Sequence, residues 1–137
     1  IINYDLTFIG SPVIDWLPTQ SMMKFVKESM KIYADANIVQ TPSHKNFGKY
    51  AVCFCTYGGP HIGQREAVPV TMWLRSFIEH LGFTTLGLWH RPGQFLTHPQ
   101  ADYLNVEGRL GNIVDRPNEH DLQEVSQLVK GVYKSIN

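Results

Sequence analysis

Tyr50-Ala51-Val52-Cys53-Phe54-Cys55-Thr56-Tyr57-Gly58-Gly59-Pro60 is a nearly continuous apolar run that stops on two glycines and a proline. A strand with one wet face alternates apolar and polar residues, whereas a strand covered on both faces does not need to. Tyr50–Tyr57 therefore predicts an interior strand, and Gly58-Gly59-Pro60 the turn that ends it. Cys53 and Cys55 stand two apart, so their side chains share one face of that strand. Unpaired cysteine is among the most buried residue types, and no second ligand pair stands at a metal-binding spacing. Both cysteines read as packing residues, and no metal is expected.

On the C-terminal side, Val70, Trp73, Leu74, Phe77, Ile78 and Leu81 recur at helical spacing. Pro69 fits the first turn, where its missing N–H costs little, and Gly82 fits the left-handed position past the helix end. Thr84–Trp89 reads as a further strand. His90–Asn118 has no strong period, and a connection that long is usually functional or disordered. Asn118 then caps a helix with Leu122, Val125, Leu128, Val129, Val132, Tyr133 and Ile136 on one face. On the N-terminal side, Tyr4–Gly10 reads as a strand closed by its glycine. Met22, Phe25, Val26, Met30 and Tyr33 mark a helix, with Thr19 or Ser21 as its N-cap. Asn37–Lys49, which holds Pro42, Ser43, Asn46 and Gly48, reads as a connector.

The order is β-α-β-α-β-α. Such alternation implies parallel strands, right-handed crossovers and helices on the sheet faces, hence an α/β fold. No repeat breaks the chain, so 1–137 is read as a single domain. Formal net charge is zero and the basic residues are scattered, which excludes a nucleic-acid surface. No apolar run approaches the roughly 18 residues of a membrane span, and no signal peptide is visible. The cytoplasm is the expected location. The chain opens on Ile1-Ile2-Asn3 and runs at once into a strand, so it reads as a processed, trimmed or incomplete piece.

Parallel sheets bind ligands beyond the carboxyl ends of their strands. Two segments there combine glycine, small polar residues and an aromatic. They are Gly10-Ser11-Pro12-Val13-Ile14-Asp15-Trp16-Leu17-Pro18 and Thr56-Tyr57-Gly58-Gly59-Pro60-His61-Ile62-Gly63. Glycine admits close backbone approach to a flat ring, and an aromatic gives it a face to stack on. Trp89-His90 lies on the same sheet edge and is a further candidate wall. His44, His80, His98 and His120 show no ligand spacing and read as solvated.

Asp5-Leu6-Thr7-Phe8-Ile9-Gly10-Ser11-Pro12 resembles the third strand and first ring-binding loop of flavodoxin-like proteins. Ala51-Val52-Cys53-Phe54-Cys55-Thr56-Tyr57-Gly58-Gly59 resembles their fourth strand and second flavin loop. The resemblance implies a three-layer parallel sheet that lacks its first two β-α units and with them the FMN phosphate loop. It implies FMN as cofactor, held by Ser11, Pro12, Val13, Trp16, Thr56, Tyr57, Gly58, Gly59 and His61, with Trp16 and Tyr57 flanking the ring. The implied function is electron transfer or NAD(P)H/quinone-type reduction, with a redox partner or a small-molecule electron acceptor. The His90–Asn118 loop would be a lid. The alternative is a non-catalytic interaction module that has lost flavin and pairs through its exposed first strand. That edge is also expected to form a dimer or to pair with a missing N-terminal segment.

Overall fold

The computed structural model of the chain describes residues 1–44 and 47–137. Its strands are β1 (Leu6–Ile14), β2 (Leu17–Pro18), β3 (Tyr50–Tyr57) and β4 (Thr84–Pro92). Its helices are α1 (Gln20–Asp35), α2 (Val68–His80), α3 (Ala101–Glu107) and α4 (Glu119–Ile136). The sheet order is β2-β1-β3-β4. β1 and β4 both run parallel to β3, while β2 runs antiparallel to β1. The described residues thus form an α/β fold with four helices and an open, mostly parallel four-stranded sheet. Among its described residues the Asn37–Lys49 connector holds none of these elements; its Lys45 and Asn46 lie outside the described residues.

β3 is interior, as its unbroken apolar run requires. Its odd-numbered side chains, Ala51, Cys53, Cys55 and Tyr57, pack into one core with Val70, Leu74 and Ile78 of α2 and Val26 of α1. Burying each such aliphatic side chain of α2 is worth about 1.5–3 kcal/mol. Burial pushes both cysteine thiols up to about 12, so neither is a thiolate at neutral pH. Cys55 Sγ instead donates to the Ala67 carbonyl. The even-numbered side chains Phe54 and Thr56 face the opposite side, toward α4. Pro69 sits in the first turn of α2, and Gly82 follows it at φ +85°. Thr19 caps α1 and Asn118 caps α4, the latter in a reciprocal box with Asp121.

The first strand departs from the expected Tyr4–Gly10. It continues through Gly10 to Ile14, then turns back in two residues to β2. The segment expected to be a loop, Gly10–Pro18, is therefore a strand end and a hairpin. Gly10 does not make a turn there. A Cβ at Gly10 would lie 2.4 Å from the Phe54 ring, so glycine lets that ring lie across β1. β4 likewise runs on past Trp89 to Pro92, and the long His90–Asn118 stretch contains α3.

α4 differs from a core helix. Leu122 is 57% exposed and Tyr133 is 62% exposed. Its apolar face looks across a groove of about 320 Å³ toward Phe8, Phe54 and Trp89. Polar contacts at its first turns anchor it. Arg116 pairs with Asp121, and Arg91 Nη1 donates to Glu124 Oε2 at 2.8 Å. The periodic face was correctly legible, but periodicity does not say how closely the neighbouring layer approaches.

Candidate functional site

A cavity of about 250 Å³ opens at the carboxyl ends of β1 and β3. Its walls come from three places: the β1–β2 hairpin, the Tyr57–His61 segment after β3, and the residues around α3. Of the expected site residues, Val13, Trp16, Tyr57, Gly58, Gly59 and His61 line it. Ser11, Pro12 and Thr56 do not. The Ser11 hydroxyl donates to the Pro12 carbonyl and accepts from the Thr19 N–H at 3.0 Å, so it serves the entry to α1. Pro12 is exposed on the strand. Thr56 lies on the α4 face, because successive strand residues alternate sides.

The hairpin wall has an unusual backbone. Val13 pairs with Pro18 and Ile14 with Leu17, which leaves only Asp15 and Trp16 for the turn. Both have positive φ, 47° and 65°. This is the mirror-image turn whose twist matches paired strands, and its second position favours glycine. Tryptophan there is a steric outlier. Little burial compensates, since Trp16 is 58% exposed. Trp16→Gly should therefore raise stability by about 1 kcal/mol. Thermal unfolding followed by circular dichroism would check this, and a lower Tm would contradict it.

The second wall is built from backbone. Gly59 and Gly63 have φ +51° and +67°, and the Gly63 N–H donates to the Gly59 carbonyl at 3.1 Å. Glu66, buried in the short 3-10 turn that follows, accepts from the His61 and Ile62 N–H groups, each at 2.8 Å. Arg109 N–H holds the Pro60 carbonyl at 2.7 Å. Tyr57 is buried, and burial pushes its phenol up from the usual value, so it stands there as a neutral hydroxyl.

The third wall comes from the His90–Asn118 stretch, which was expected as a lid, with none of its lining residues singled out. Phe95, His98, Gln100 and Leu104 join the lining. Buried Asn105 fixes Phe95 by accepting from its N–H at 2.8 Å and donating to its carbonyl at 2.9 Å. The Phe95 ring covers Gly58, where a Cβ would stand 2.2 Å from it. His98 was read as solvated. It is exposed, but it stands on the cavity rim with its ring 5.6 Å from that of Phe95. The length of the stretch marked it out, but no local pattern singled out Phe95 or Asn105.

Trp89 and His90 take no part in the cavity lining. As neighbours on a strand they face opposite ways. Trp89 meets Phe8 in the groove, with ring centres 5.7 Å apart. His90 Nε2 lies 2.8 Å from Thr71 Oγ1, and its Nδ1 3.2 Å from Gln64 Nε2. Thr71 donates its own proton to the Val68 carbonyl, so His90 donates from Nε2 and accepts at Nδ1. Burial lowers its pKa and keeps it neutral.

Among the described residues, the lining carries two carboxylates, Asp15 and Glu66, and no lysine or arginine. Among the described residues no cluster of three metal-ligating side chains occurs, and no helix is long and apolar enough to cross a membrane. The cavity lies below the roughly 300–1,000 Å³ of sites for whole drug-sized ligands. Its size and aromatic walls suit a ring system. Its charge does not suit a phosphate. Comparison of the chain with protein-family models and with curated proteins finds no match.

Proposed function

We propose that this cavity binds the ring of a flavin, and that the chain is a flavodoxin-like redox protein. The observation that supports the reading is the convergence of Trp16, Tyr57 and the Gly58-Gly59 backbone on one ring-sized cavity beyond adjacent parallel strands. Trp16 and Tyr57 would flank the ring, and the Gly58–His61 backbone would meet its edge. The bound flavin would supply the electron or hydride chemistry, and the protein would hold and orient it. FMN is the form the resemblance implies. Its phosphate would lie outside the cavity, away from Asp15 and Glu66. Electron transfer to a partner and reduction of a small acceptor both fit this reading.

The test is titration of the chain against riboflavin and FMN, read by flavin fluorescence. Saturable quenching at micromolar protein is the expected result, and Trp16→Gly should weaken it about fivefold through lost stacking. Unquenched fluorescence with both compounds would remove the flavin reading.

A second reading is favoured by a different observation. The groove between the sheet and α4 is apolar throughout, and only Val13 and Ile14 of β1 pair with β2 on the outer side. A non-catalytic module that docks a partner strand along β1 would use both features.

A further inference from the structure

We infer that Glu66 is the hydrogen-bond acceptor of the cavity, and that it selects a planar ring whose edge presents an N–H donor. The inference rests on the flavin reading and adds the edge chemistry that the ring must carry. Glu66 is only 8% exposed, yet it lines the cavity. Both of its backbone hydrogen bonds, from His61 and Ile62, fall on Oε1. Oε2 has no hydrogen-bond partner among the described residues. A carboxylate oxygen at a partly enclosed wall gains most from a partner that donates. The two amides fix the carboxylate from behind, so a ligand finds it already placed. The rest of the lining agrees. Asp15 adds a second carboxylate, and among the described residues no lysine or arginine in the lining competes for either. An edge made only of carbonyl oxygens would face repulsion here. A ring imide, with its N–H between two carbonyls, presents that N–H to the carboxylate as a donor. An ordinary flavin has such an N–H at ring position 3.

The test compares riboflavin with 3-methylriboflavin, which carries a methyl group in place of that proton. Wild-type protein should bind riboflavin at least about tenfold more tightly, since the methyl group removes a charge-assisted hydrogen bond. Glu66→Gln keeps an oxygen for the His61 and Ile62 amides and replaces the second acceptor by an NH2 donor. It should bind the two compounds alike, with riboflavin affinity reduced about tenfold and an unfolding midpoint near that of the wild type. Equal binding of both compounds by wild-type protein would overturn the role of Glu66 while leaving the flavin reading in place. So would full discrimination retained by Glu66→Gln. Wild-type protein that binds neither compound would overturn both.

Discussion

Asp121→Ala is expected to destabilise the fold by about 2–3 kcal/mol and to loosen α4 from the sheet. Asp121 is 1% exposed. Its two carboxylate oxygens pair with Arg116, and Oδ2 also accepts from the Asn118 N–H at 2.8 Å. Its own N–H donates to the Asn118 side chain. One carboxylate thus closes the helix cap and ties the preceding loop to it. Alanine leaves the Arg116 guanidinium and the Asn118 amide without that acceptor. Arg116 is partly exposed and regains water, which keeps the loss below that of a fully buried pair. The same contact gives a pH signature. The hydrogen bonds from Arg116 hold the Asp121 carboxyl below the usual carboxylate range. An acid depressed in the folded state stabilises the fold fully above its unfolded pKa and loses that effect as pH falls through its folded value. The difference between wild type and variant in urea unfolding should therefore be full at pH 7 and narrow below about pH 4. A gap that stays constant down to pH 2 would contradict the assignment.

Gly59→Val is expected to cost about 2 kcal/mol or more and to abolish ligand uptake by the cavity. Two effects add. The φ of +51° is costly for any side chain and most costly for a β-branched one. A Cβ there would also stand 2.8 Å from the Gly63 carbonyl oxygen, a backbone atom that itself accepts no easy displacement. Relief requires the Gly59–Gly63 turn to open, and that turn carries His61 and the amides that bond Glu66. Stability and fluorescence quenching should therefore fall together. A variant with native Tm and native quenching would show that the loop tolerates rearrangement.

Much of this architecture was legible because it follows from period. β3 and α2 were readable from their apolar residues alone, and the caps at Thr19 and Asn118 from local hydrogen-bond chemistry. The first hairpin was not, since Gly10 and Pro12 are normal marks of a loop. Their reason is tertiary: the Phe54 ring needs Gly10, and an edge position tolerates Pro12. The Asp15-Trp16 turn carries no glycine, so its mirror-image geometry left no mark in the sequence. The cavity was half legible. Strand-end segments with glycine and aromatics could be picked out, but alternation put Thr56 on the other face, and the Ser11 hydroxyl is spent on the Pro12 carbonyl and the entry to α1. Phe95 arrives from far along the chain through a single asparagine, Asn105, and no local pattern encodes such a contact.

The hairpin tip has a bearing on descent. Selection for fold stability alone would drift position 16 toward glycine, and each generation that kept tryptophan would carry a small thermodynamic handicap. A ligand stacked on that ring would offset the handicap from outside the fold. In a lineage with no use for the cavity, Trp16 would be freer to change than the core beneath it.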